Sequence, residues 1–200
     1  TLSPSSAASD VYKRQEQLQR VNEELRGLPG NKVYAALSNA ANRAMMSARG
    51  VAWKSVHSMY TVDRAAFYQD TRIHTFRANK QSLSAAVTFG GYLIPLISFN
   101  VRGYRAHEKG HVRRLKAEVL TGIPKDLKHA YITDLGKYGV NVFERYSTER
   151  NSSQALYGPS AAHMVENGEV IKDMDAAAKA TFDKRLDHEI DRILRGYGGR

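Results

Sequence analysis

The sequence predicts an α+β fold: N-terminal helices, a central antiparallel β-sheet of about five strands, and a long C-terminal amphipathic helix. Three observations predict it. Val33, Leu37, Ala41, Ala44, Ala48 and Ala52 recur every three or four residues, the period of one helix face. From Arg72 the apolar period falls to two, and Leu83, Ala85, Val87 and Phe89 alternate with polar neighbours. Met174, Ala178, Phe182, Leu186, Ile190 and Ile193 then restore the helical period.

The chain has 200 residues, enough for one good core or two small ones. With 42% hydrophobic and 25% charged residues it is composed like an ordinary globular chain. No apolar run approaches the about 18–20 residues of a membrane span, so no membrane partner is expected. Cysteine is absent, which excludes disulfides, thiolate metal sites and cysteine catalysis in this chain and suits a reducing cytoplasm. The net charge of +10 favours polyanionic partners such as DNA. A basic chain whose charge has no specific target is the plain alternative.

In chain order, residues 1–15 are expected to be disordered, a linker or a non-native junction. They open with Thr, are rich in Ser and Ala, and offer almost nothing to bury. Residues 16–200 are expected to form one α+β domain. Leu18, Val21 and Leu25 mark a short helix ended by Leu28-Pro29-Gly30, and Asn31 is placed to cap the next. That helix, from Asn31 to about Met59, has a mostly Ala stripe that lets another element approach closely, and Gly50 is either a weak point or a close-packing site. Thr61 is placed to cap a short helix through Phe67, with Asp63 near its positive end.

Strands are expected around Ile73 and Thr75, along residues 83–89, 93–99 and 112–120, near Tyr131-Ile132, and finally from Val140 to Tyr146. Gly90-Gly91 reads as a turn, and Pro95 restricts its strand to an edge or a bulge. Gly122, Pro124 and Asp126 read as a break. The last helix is expected over residues 173–195, with Asp173 and Asp175 at its positive end and Arg192 and Arg195 at its negative end. Its stripe through Phe182, Leu186 and Ile190 is expected to hold the sheet.

No catalytic constellation emerges. There is no Gly-x-Ser-x-Gly elbow, no phosphate loop of the Walker type and no His-Glu-x-x-His. Ser160 and His163 are close in sequence but lack an orienting third group, and Ser160 reads as an N-cap. His107 and His111 lie in a basic loop with Glu108 as the nearby carboxylate, too few ligands for a metal. No catalytic residue, cofactor or metal is expected. The strongest functional signal is the basic cluster Arg102, Arg105, Lys109, Arg113, Arg114 and Lys116. Three readings stand for it: contact with DNA phosphates, contact with an acidic subunit surface, or a solvated hairpin.

The stretch from residue 139 to 164 organises the chain. Val140, Val142 and Phe143 close the β-rich region. Tyr157-Gly158-Pro159 reads as a sharp turn, since Gly tolerates positive φ and Pro fixes its own. Ser160 then caps a short helical run over residues 161–166. The string Ala155-Leu156-Tyr157-Gly158-Pro159-Ser160, the strand ending Val142-Phe143-Glu144-Arg145, the run Lys128-His129-Ala130-Tyr131-Ile132 and the final helix resemble the bacteriophage minor tail protein Z family, over about Val33 to Leu194. The resemblance implies a structural virion component without a catalytic residue. The resemblance further implies tail completion at the head-proximal end, assembly in the host cytoplasm and a homo-oligomeric ring. Other tail and neck proteins would be its partners, with possible contact to packaged DNA. A stand-alone basic nucleic-acid-binding protein is the alternative.

Overall fold

The computed structural model describes residues 30–69, 71–103, 115–134, 136, 139–147 and 152–196. The helices are α1 (Gly30–Met59), α2 (Arg64–Gln69), α3 (Ala161–Val165) and α4 (Gly168–Leu194). The strands are β1 (Thr71–Phe76), β2 (Ala86–Gly91), β3 (Leu93–Pro95), β4 (Asn100–Arg102), β5 (Leu115–Glu118), β6 (Pro124–Leu127), β7 (Ala130–Asp134), β8 (Val140–Arg145), β9 (Ser153–Ala155) and β10 (Tyr157–Ser160). The α+β class holds. In place of one sheet of about five strands, the described strands divide among four small antiparallel sheets: β1-β2, β3-β10, β4-β5-β6 and β7-β8-β9.

The chain divides into two compact units. The larger takes Met45–Phe76 and the described parts of Ala86–Lys179. Its core gathers Val56, Val62, Phe67, Ile94, Leu96, Phe99, Leu115, Val142, Met164 and Val170, all buried. These come from α1, α2, α3, the start of α4 and several strands, so the small sheets share one apolar centre although their ladders are separate. A backbone bridge between Tyr60 and Leu120, with bonds from Thr61 N to Val119 O and Thr121 N to Met59 O, ties the end of α1 to the chain after β5.

The smaller unit takes Arg77–Ala85 with the described parts of Thr1–Ala44 and Ala180–Arg200. Here Leu186 and Ile190 of α4, with Phe182, pack on Leu37 and Ala40 of α1. The stripe expected to hold a sheet therefore meets a helix. The buried line of α1 runs through Ala36, Ala40, Ala44, Ala48, Ala52 and Val56, one residue out of phase with the expected stripe at its start. Alanine at Ala40 is small enough for the α4 side chains to reach the α1 backbone cylinder. Asn42 clamps the segment after β1: its Nδ2 donates to Ala78 O and its Oδ1 accepts from Ala78 N.

Several local expectations are corrected. Gly90-Gly91 continues β2 instead of turning, opposite Arg72 and Thr71. Residues 83–85 precede β2 without joining it. Residues 93–99 are divided between β3 and a 3-10 turn, Leu96–Ser98. Pro95 lies in a two-stranded pair with a register shift, as a proline without an N–H requires. Pro124 opens β6 instead of breaking the chain, and β8 is followed by two more strands. Asn31 lies inside α1, and α4 begins five residues before Asp173, with Asn167 Oδ1 accepting from Glu169 N at its start. The cap of α2 is Asp63, whose Oδ2 accepts from Ala65 N and Ala66 N. Thr61 instead donates to Glu118 O and accepts from Asn100 N. The helix expected near Leu18, Val21 and Leu25, and the segment of residues 1–15, lie outside the described residues.

Candidate functional site

The basic hairpin is built on β4-β5-β6. Asn100 pairs with Glu118, Val101 with Ala117 and Arg102 with Lys116; on the other edge Lys116 pairs with Asp126 and Glu118 with Pro124. Alternation puts Leu115 and Ala117 into the core and turns Arg102, Lys116 and Asp126 to the exposed face. This face carries one charge pair and a set of hydrogen bonds. Lys116 Nζ lies 3.5 Å from an Asp126 carboxylate oxygen. Glu118 accepts from Asn100 Nδ2 at 2.7 Å and from Gly122 N at 2.6 Å, and Arg102 Nε donates to Asn100 Oδ1. The Lys116–Asp126 pair is exposed, so it contributes about 0–1 kcal/mol. Arg102 and Lys116 are thus brought side by side, while Arg105, Lys109, Arg113 and Arg114 lie outside the described residues, as do His107 and His111.

The Gly158-Pro159-Ser160 segment is not a turn. It is extended as β10, and Gly158 has no positive φ. The reason for glycine is packing: a Cβ there would stand 2.4 Å from Cε2 of Phe99. Ser160 does cap α3. It has extended φ and ψ, and its Oγ accepts from His163 N. The same Oγ lies 3.0 Å from His163 Nδ1. That contact invites a nucleophile reading, but Ser160 is 3% exposed, and among the described residues no carboxylate is hydrogen-bonded to His163. A buried hydroxyl engaged by the helix start has neither access nor an oriented base.

Asn141 is a structural centre that the sequence reading missed. Its Oδ1 accepts from Val142 N at 2.8 Å and from Ile97 N at 3.4 Å, and its Nδ2 donates to Leu156 O at 3.3 Å. One buried amide therefore joins β8, the 3-10 turn and the chain before β10. An Asn inside a β-rich run was the available signal, since Asn is depleted from strands unless its amide has a task.

A shallow groove of about 510 Å³ is lined by Trp53, His57, Asp63, Arg64, Phe99 and Asn100, among others. Trp53 stacks on His57 with ring centroids 5.1 Å apart and also meets Phe67 and Tyr68. Asp63 is already committed to the cap of α2. Among the described residues no group of three or more His, Asp or Glu is placed to hold a metal ion, and no helix is long and apolar enough to cross a membrane. On α4, Glu169 holds the exposed Lys172 ammonium above its ordinary pKa through a 2.7 Å hydrogen bond and its negative charge.

Among the described residues the arrangement is one of packing and surface charge, without a set of groups assembled on a reacting centre. No curated protein and no solved structure matches the chain. The family model described as prophage minor tail protein Z (GPZ) matches residues 17–200, nearly the whole chain. The chain therefore belongs to the prophage minor tail protein Z family.

Proposed function

We propose that this protein completes the phage tail at its head-proximal end, as a ring of copies that positions the path of the DNA, and that it does so by interface burial without catalysis. The observation that carries the reading is the family match over residues 17–200, a family of phage minor tail proteins. The net charge of +10 supports it, because a ring of like-charged copies needs a polyanion or acidic neighbours to offset its repulsion. In this reading Arg102, Arg105, Lys109, Arg113, Arg114 and Lys116 face DNA phosphates or an acidic tail or neck protein. Compensation of Lys116 by Asp126 puts the net positive charge of the cluster on its other members.

The test is a phage carrying a deletion of this gene, supplied with the protein in trans. Tail completion predicts that deletion leaves heads and tail tubes that fail to join, and that the wild-type protein restores plaques. Normal particles from the deletion would overturn the reading. A purified protein that stays monomeric and binds duplex DNA with a steep salt dependence would favour a stand-alone nucleic-acid-binding role instead.

A further inference from the structure

The β1-β2 ribbon has two unlike faces. Ile73 pairs with Phe89 and Thr75 with Val87 on the half-buried face, where Phe89 packs on the core. Arg72, His74 and Phe76 occupy the other face, with Thr88 and Ala86 opposite, and all are exposed. Phe76 is 61% exposed and Tyr92 72%, and the Arg72 guanidinium lies 5.8 Å from the Tyr92 ring centroid. The sequence around this face is free of acid: residues 71–107 contain no Asp or Glu.

Two kinds of partner suit a basic, aromatic face, and charge density decides between them. A nucleic-acid surface draws its affinity from several cations on successive phosphates. The described ribbon face carries one fixed cation, Arg72, beside His74. An exposed arginine–tyrosine pair, with an exposed phenylalanine further along the same face, instead matches the centre of a protein interface. The partner must supply the carboxylates that this face lacks.

A second copy of the chain has such a surface. Asp183, Asp187 and Asp191 stand at i, i+4 and i+8 on α4, one line along the helix. Asp187 and Asp191 are exposed, and Asp187 has a like charge one turn away on each side. Like charges at this spacing disfavour the helix unless cations meet them. Arg195 reaches Asp191 at 3.9 Å. The spacing also fits: a two-residue step along a strand is about 6.6 Å, and a four-residue step along a helix about 6 Å. Arg72 and His74 can therefore address successive aspartates.

Resting on the ring reading above, we propose that the outward face of the β1-β2 ribbon, Arg72, His74 and Phe76 with Tyr92, docks on the Asp183-Asp187-Asp191 line of a neighbouring copy. The two patches differ, so the contact is head-to-tail, the type that closes into rings. The experiment compares wild type, Arg72→Glu, Asp187→Arg and the double variant by sedimentation velocity, with circular dichroism as the folding control.

Wild type is expected to form a closed oligomer. Each single reversal should weaken association at least about tenfold, and the double variant should recover it by re-forming the pair between copies. An intact wild-type oligomer unchanged by either reversal would overturn this interface while leaving the ring standing. A wild type monomeric at every concentration and on purified tails would overturn the ring itself, and this interface with it. Loss of duplex DNA binding in Arg72→Glu, with association unchanged, would make the ribbon a nucleic-acid surface and overturn the proposal.

Discussion

Gly158 presses against the ring of Phe99: a Cβ on Gly158 would stand 2.4 Å from Phe99 Cε2 and 2.6 Å from Cζ. Phe99 is buried in the larger core, so the ring has little room to retreat. Gly158→Ala is expected to destabilise by about 1–3 kcal/mol through overpacking, and Gly158→Val by more. Ser160→Ala, which removes the cap of α3 and the contact with His163 Nδ1, is expected to cost about 1 kcal/mol. Urea denaturation of the three variants checks the ranking. Combining Gly158→Ala with Phe99→Leu should recover part of the loss, because the two changes meet at one contact. Equal stability of Gly158→Val and wild type would contradict this packing.

Asn141 yields a second expectation. Asn141→Ala removes an acceptor shared by two backbone N–H groups and a donor to Leu156 O, from a side chain that is itself buried. The loss is expected at about 1–3 kcal/mol. Hydrogen exchange should show the effect at Ile97 N and Val142 N first. Asn141→Asp keeps the acceptor but not the donor and should protect those two amides better than alanine does.

Gly50 points the other way. It lies within α1, is exposed, and a Cβ there would meet nothing within 4 Å. Close packing therefore does not explain it. Gly50→Ala should stabilise by about 0.5–1 kcal/mol, because alanine loses less backbone entropy in a helix. A rise in the midpoint of thermal unfolding checks this, and a fall would show that α1 needs the glycine.

How much of this was legible in the sequence depends on range. The two long helices follow from local period, and Ser160 followed from a local cap rule. The reading failed where the cause is distant. Gly158-Pro159 looks like a turn because both residue types favour turns, yet the glycine answers to Phe99, some sixty residues earlier in the chain. Gly90-Gly91 reads as a break because nothing in the local string shows that β1 lies opposite. The division of the strands into four sheets was hidden for the same reason, since pairings such as β3 with β10 span the chain. In the basic cluster, the cations were visible as letters, but the pairing of Lys116 with Asp126 depends on strand register. Family membership was legible because its strings are contiguous.

Arg113 and Arg114 carry the expectation closest to function. Charge reversal at both is expected to leave the isolated subunit folded. It should lower the yield of finished, DNA-filled particles in complementation. Full plaque-forming activity with a native circular dichroism spectrum would remove the cluster from the functional account.

The central claim, a ring that completes the head-proximal end of the tail, is tested most directly by electron microscopy of phage particles carrying a labelled copy of this protein. The account predicts label at the head–tail junction, in several copies per particle, and its absence from tails made without the gene. Label at the distal tip, or particles that contain none of the protein, would contradict it.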